Sequence, residues 1–202
     1  MFKSYPDSQC VRALKRGFPR GGDGLNGVDL GCGAGRHAKL LLEHGFNVRA
    51  VDIDYNNIQD TVALIGENKN LSVEVADFLQ MEDKEVYDVA IAWNFLYAYN
   101  KKWDDLLKRL SIIHRMLRPK GKIITTLRTD KDGIRQMFEP DDNGIVYNRL
   151  YKDSPGYIFL SREEMVGLFE KSGFTIEYFE VFSRNHTMNW ENINGNDAWR
   201  DP

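Results

Sequence analysis

Apolar and polar positions along the chain fall into two alternating rhythms. Val11 and Leu14, with Phe18 beyond Gly17, predict an entry helix over 8–16 capped by Asp7 or Ser8. Four glycines between Pro19 and Gly27 read as a loop. Ala38, Leu41 and Leu42 mark a helix over 36–44, stopped by Gly45. Residues 48–53 form an apolar run suited to a buried strand, and Ile58, Val62 and Ile65 share one face of a short helix over 56–65. Residues 71–75 alternate as a strand does, and 87–93 are almost continuously apolar, as in a strand covered on both faces. Trp103, Leu106, Leu107, Leu110, Ile113 and Leu117 predict an amphipathic helix over 103–117. Pro119-Lys120-Gly121 ends it, and 122–127 reads as the next strand. Ser161-Arg162-Glu163-Glu164 is a capping box for a helix through Met165, Leu168 and Phe169, which Gly173 stops. Residues 174–182 read as a last strand.

Strands and helices alternating at this pitch predict an α/β fold. It is a doubly wound, mainly parallel sheet with flanking helices and right-handed crossovers. Ligands in such sheets bind beyond the carboxyl ends of the strands. Asp29, Gly31, Asp52, Asp77, Trp93 and Asn94 all fall at or just past predicted strand ends, so one shared site is expected. Residues 128–159 break the rhythm with Asp, Gly, Asn, Arg and Tyr and read as a substrate-covering insertion within a single domain over 1–202. The tail from Ser183 is polar and rich in asparagine.

Composition narrows the class. With 202 residues, 42% of them hydrophobic, the chain can bury one substantial core. A net charge of −3 argues against a broad nucleic-acid footprint. Lys101, Lys102, Lys108, Arg109, Arg115, Arg118, Lys120 and Lys122 cluster in sequence, and a solvated helix face plus turn explains them better than a binding strip. Cys10 and Cys32 offer neither a disulfide framework nor a metal-ligand spacing, so a reducing compartment and no metal are expected. No apolar run approaches the ~20 residues of a membrane span and no signal peptide is visible, which predicts a cytoplasmic protein, monomeric or homodimeric.

The richest chemistry lies in Val28-Asp29-Leu30-Gly31-Cys32-Gly33-Ala34-Gly35-Arg36. Its glycines permit a tight turn and close approach of backbone to a ligand. Asp52 follows Gly31 by 21 positions, at the tip of the next strand, where a carboxylate can take both hydroxyls of a ribose. The spacing is G-x-G-x-G, not the G-x-G-x-x-G of dinucleotide folds, and Asp29 precedes the first glycine by two. A pyrophosphate at that turn would be repelled by the acid. A ligand with an ammonium or sulfonium would be favoured.

These residues resemble motif I of the class I S-adenosylmethionine (SAM)-dependent methyltransferases, in particular a bacterial small-molecule and polysaccharide-cluster branch. Ala76-Asp77-Phe78, Tyr87–Tyr99 and Ile112–Leu127 resemble the later motifs in the same order, over roughly residues 5–182. The resemblance implies that Asp52 binds the ribose, Ile53 lies on the adenine face, and Asp77 and the Phe78 amide meet the adenine edge. Asp29, Gly31, Cys32 and Gly33 line the methionine end, with Arg36 serving its carboxylate. Trp93 and Asn94 complete the site. Such enzymes usually end in an antiparallel strand, and here one near Asp197-Ala198-Trp199 would be missing or short.

The implied activity is methyl transfer to an oxygen or nitrogen of a small molecule or carbohydrate-like acceptor, with S-adenosylhomocysteine as product. A non-catalytic SAM-binding protein and an NAD(P)-dependent oxidoreductase stay open at this stage. No strong catalytic signature is present. His186, His114 and Tyr97 are candidates, with His37 and Tyr99 beside them, and Arg128, Arg135 and Arg149 are candidates for gripping an anionic substrate. The stretch Ala92-Trp93-Asn94-Phe95 lacks the D/N-P-P-Y/F/W pattern, which disfavours methylation of nucleobase or glutamine amide nitrogens.

Overall fold

A computed structural model describes residues 5–150, 152 and 154–182. The first half of the chain builds α1 (Ser8–Gly17), β1 (Asn26–Leu30), α2 (Arg36–Glu43), β2 (Asn47–Asp52), α3 (Tyr55–Ile65) and β3 (Leu71–Val75). Then come β4 (Tyr87–Ala92), α4 (Trp103–Met116) and β5 (Leu117–Thr125). The five strands form one sheet in the order β3-β2-β1-β4-β5, and every pairing is parallel. Successive side chains of a strand point to opposite faces. Val89 and Ile91 accordingly enter an apolar layer with Leu14, Ala38, Leu41 and Ile58. Ala90 and Ala92 enter the other, with Leu106, Leu110 and Ile113. Both faces of β4 are covered, which is why it reads as a nearly unbroken apolar run.

The chain winds outward from β1 to β3, then returns to place β4 on the other side of β1. That reversal opens a crevice at the carboxyl ends of β1 and β4, where helices leave in opposite directions.

Three local expectations need correction. The first is β5, which begins at Leu117, five residues early, and absorbs Pro119-Lys120-Gly121 as a bulge instead of being preceded by it. Lys120 takes φ +68° there, and a Cβ on Gly121 would come within 2.9 Å of the Arg118 carbonyl, so the kink is built into the strand. The second is 174–182, which is irregular and not a strand. Long side chains hold it, through Lys122 to Glu177, Arg12 to Glu180 at 2.6 Å and Arg16 over the Tyr178 ring. No backbone hydrogen bond joins 174–182 to β5 among the described residues. The last strand expected near 197–199 lies outside the described residues.

The third concerns 128–159, which is not a plain loop. It contains β6 (Arg128–Thr129), α5 (Gly133–Met137), β7 (Val146–Tyr147) and β8 (Gly156–Tyr157), followed by β9 (Phe159–Leu160) and α6 (Arg162–Lys171). β7 pairs with β8 antiparallel and β6 with β9 parallel. Ile145, Ile158 and Leu160 are buried in the same layer as Leu96 and Leu106, which anchors the segment to the main core. Pairing partners this distant left only weak traces in the local sequence. The capping box at Ser161 forms as expected, with Glu164 and Ser161 exchanging hydrogen bonds at 2.7 and 3.2 Å.

Candidate functional site

The turn after β1 holds three left-handed residues within five positions: Gly31 at φ +64°, Gly33 at +55° and Gly35 at +81°. A Cβ on Gly35 would meet Thr61 at 2.7 Å, whereas one on Gly33 would meet nothing within 4 Å. The first glycine is required by packing and the second leaves open space above the turn. The loop is fixed from beneath. Cys32 N–H donates to Val51 (3.0 Å), Thr61 Oγ1 to the Gly33 carbonyl (2.9 Å) and Gly33 N–H to Asp52 Oδ2 (2.9 Å). Burial pushes the Cys32 thiol up to about 12, far from a thiolate.

Asp52 ends β2 and is 7% exposed. Its Oδ1 accepts from the Asp54 amide (2.9 Å) and from Asn57 Nδ2 (3.2 Å), so the carboxylate is oriented before any ligand arrives. Ile53, read as the end of the strand, lies just past it and is 73% exposed, a bare apolar side chain beside an ordered acid. Asp77 Oδ1 caps the short 3₁₀ turn Phe78–Gln80 by accepting from the Leu79 amide at 2.9 Å. Phe78 is buried, edge-on to Phe95 at 5.4 Å, and Phe95 lies 3.1 Å from where a Cβ of Gly31 would stand.

Asp29 is 1% exposed, and its Oδ2 has no hydrogen-bond partner among the described residues. Burial pushes its carboxyl up to about 7. The Ala38 amide in the first turn of α2 and the charge of Arg36 oppose that rise, and the charge of Asp52 adds to it. A buried acid with one vacant oxygen beside an open glycine turn is suited to a cation. The residues present therefore fit a ligand carrying an ammonium and an adenosine.

Asp7 supplies what sequence reading missed. It stands at the N-cap position of α1, yet its side chain makes no cap bond. It accepts instead from Trp93 Nε1 at 2.9 Å and pairs with Arg36 at 2.9 Å, with His37 Nε2 at 3.9 Å. Arg36, expected to serve a ligand carboxylate, is thus engaged by Asp7. These partners are 29 and 86 positions away, so no local pattern announces them.

Beyond β4, Asn94 adopts φ +65° and is locked to Thr126. Its amide donates to Thr126 Oγ1 (2.9 Å), which donates in turn to Asn94 Oδ1 (3.2 Å). The loop 94–100 is pinned by Arg109, which is buried and donates to the carbonyls of Ala98 (2.8 Å) and Tyr99 (3.1 Å). Arg109 is therefore buried and not part of the solvated helix face read from the sequence. Arg118 pairs with Asp88 at 2.8 Å and Arg115 donates to the Met81 carbonyl at 2.5 Å, so much of that basic cluster is structural.

A cleft of about 1230 Å³ runs along the outer edge of β5 to 174–182. Gly31, Asp52 and Asp77 do not line it. It reaches the strand ends at residues that include Trp93, Asn94, Tyr97, Thr126 and Arg128. The structure gathers Tyr97 and Arg128 there. His114 sits at the far end of α4, edge-on to Phe174 at 5.0 Å and three residues before the start of β5, at the opposite end of the sheet. Tyr99 is exposed at 72%, Arg135 contacts Glu139 at 3.5 Å, and Arg149 is exposed on the insertion. His186 lies outside the described residues.

Residues 2–178 match the family described as "Methyltransferase domain". A curated relative, the ubiquinone biosynthesis O-methyltransferase of Rickettsia bellii, is 31% identical over 107 residues, covering 52% of this chain and 42% of the relative. The chain thus matches less than half the length of that relative. Among solved structures, a SAM-dependent methyltransferase from Methanosarcina mazei is similar at a TM-score of 0.69 and 16% identity, over 82% of this chain and 86% of that one. The 1,6-didemethyltoxoflavin-N1-methyltransferase of Burkholderia thailandensis, bound to its substrate and S-adenosylhomocysteine, is similar at 0.62 and 22% identity, over 83% and 67%. These two likenesses establish the fold. With the family match spanning nearly the whole described chain, they show that the protein belongs to the class I S-adenosylmethionine-dependent methyltransferases.

Proposed function

We propose that this protein methylates an oxygen or nitrogen of a small-molecule or carbohydrate-like acceptor held beyond the ends of β4 and β5. The observation that carries the reading is the buried, half-vacant carboxylate of Asp29 beside the open turn at Gly33. Asp29 with Gly31 and Gly33 holds the methionine end of the cofactor. Asp52 takes the ribose, Ile53 covers one face of the adenine, and Asp77 with the Phe78 amide meets its edge. The same acid argues against a nicotinamide dinucleotide, whose phosphates it would repel. The named O- and N-methyltransferase relatives support an oxygen or nitrogen acceptor.

SAM supplies a methyl on a sulfonium, whose departure leaves a neutral sulfur. The protein's remaining work is to place a nucleophile in line and keep water out. Asn94 is held in its strained conformation by Thr126, and its side-chain amide has no acceptor among the described residues. Among the described residues the Tyr97 hydroxyl likewise has no hydrogen-bond partner. Either group can hydrogen-bond a nucleophile entering the cleft. An acidic hydroxyl needs no further base, whereas a protonated amine must lose its proton first.

Calorimetric titration of the full chain with S-adenosylhomocysteine is the direct test. Asp52→Ala should weaken binding by more than about tenfold, because the ribose acceptor and the anchor of the Gly33 amide go together. Mass spectrometry with a trideuteromethyl-labelled donor and a panel of phenols, amines and sugars should then show label on an acceptor. Absence of any SAM or S-adenosylhomocysteine binding sinks the reading.

A further inference from the structure

We infer that Arg128 is the acceptor-reading residue of this enzyme, and that it selects a planar acceptor carrying a carboxylate. The inference rests on the reading that the acceptor sits at the ends of β4 and β5.

Three separate segments meet at Arg128. Its own backbone pairs with Phe159 through β6 and β9. The Ile158 amide donates to the Tyr97 carbonyl at 2.8 Å, and Ala98 bridges to Tyr157. These backbone contacts set three rings around the guanidinium, with Cζ 5.1 Å from the Tyr97 centroid, 5.2 Å from Tyr157 and 5.9 Å from Phe159. The rings attract the cation without accepting its in-plane N–H groups, which stay available for hydrogen bonding.

That edge is largely unused. The side chain is 24% exposed, and among the described residues its ionic contact is Nη1 to Asp132 at 3.4 Å. Asp132 is itself committed to capping α5, accepting from the Ile134 amide at 2.9 Å. Among the described residues nothing accepts from Nε or Nη2 of Arg128. Together these two nitrogens form the fork that matches two oxygens of a carboxylate or phosphate. Asp132 decides between those anions. Asp132 already offsets the guanidinium charge, so an incoming carboxylate leaves one uncompensated negative charge and a phosphate dianion two, and the dianion is the more strongly repelled.

The position suits selection. Arg128 lines the same end of the cleft as Asn94, Tyr97 and Thr126, and the surrounding rings provide flat apolar walls. Among the described residues no ring lies over Arg135 or Arg149 as three do over Arg128. A carboxylate held by Arg128 fixes one end of a planar acceptor and leaves the other end to Asn94 and Tyr97. Tyr157 contributes as a neutral wall. Burial raises its hydroxyl above the ordinary value while the Arg128 charge pulls it down, and the net effect is upward.

The test measures binding of 3,4-dihydroxybenzoate and of its neutral amide, by calorimetry and saturation-transfer NMR, to the full chain loaded with S-adenosylhomocysteine. The acid should bind about tenfold tighter than the amide, and Arg128→Gln should abolish that preference while leaving S-adenosylhomocysteine affinity unchanged. Asp132→Asn retains a capping oxygen and removes the competing charge, so it should tighten binding of the acid about threefold and leave the amide alone. It also keeps the test decisive if Arg128→Gln fails to fold. Equal affinity for acid and amide in the unmodified protein, no binding of the acid at millimolar concentration, or a preference that survives Arg128→Gln overturns the inference. Loss of S-adenosylhomocysteine binding in the unmodified protein marks failure of the methyltransferase reading itself.

Discussion

Replacing Asp29 by asparagine sets stability against cofactor binding in opposite directions, and both can be worked from the structure. Asp29 is buried to 1% exposure with one oxygen unpartnered, and its carboxyl is pushed up from 3.8 to about 7. The native state therefore holds a proton that the unfolded chain releases near pH 4. Stability falls as pH rises between these values, by about 1.4 kcal/mol per pH step, and is level above pH 7. The cost at pH 8 is thus on the order of 2–4 kcal/mol. Asparagine keeps an oxygen for the Ala38 amide and cannot ionise. The cofactor-free variant should melt roughly 5–10 °C higher than the unmodified protein at pH 8, with the two curves converging toward pH 4. Binding runs the other way. An ammonium beside Asp29 favours its charged form, so affinity of the unmodified protein for S-adenosylhomocysteine should rise on the order of tenfold from pH 6 to pH 8. The variant should bind weakly at every pH. Thermal unfolding by circular dichroism and calorimetric titration over that range measure both. Equal S-adenosylhomocysteine affinity for the two proteins, or a flat pH profile for the unmodified one, would refute the reasoning.

Two further outcomes probe the scaffold. Gly35→Ala places a Cβ 2.7 Å from Thr61 in a backbone at φ +81°, so it should cost about 2 kcal/mol or more by denaturant titration and weaken cofactor binding by displacing the turn. Arg109→Met keeps the buried stem but strands the carbonyls of Ala98 and Tyr99. It should cost about 3 kcal/mol and increase hydrogen exchange over 94–100, with S-adenosylhomocysteine affinity retained.

The sequence alone determined the parts of this protein that short-range chemistry controls. The alternation of periods near 2 and 3.6, broken by Gly45, Gly173 and the Ser161 box, placed α1 through α4, β2 through β4 and α6 to within a few residues, because each element hides one face or both. Gly31, Gly33 and Gly35 with Asp52 marked the proposed adenosine site, because that turn and that acid are set by spacing within one βαβ unit. Tertiary structure alone decided which polar groups would be hidden, and from what. Asp7 left its helix cap for Trp93 and Arg36, and Arg109 left a basic run to pin a loop. Asp29 became a proton-holding acid only when both apolar layers closed over β1. Residues 117–121 joined β5 because Leu117 found Tyr87 across a bulge, and 174–182 stayed irregular because charged side chains, not backbone groups, hold it. Arg128 acquired its three rings from segments about 30 residues apart on either side. Burial and long-range pairing depend on strand order and on where crossovers land, and no window of local sequence contains that information.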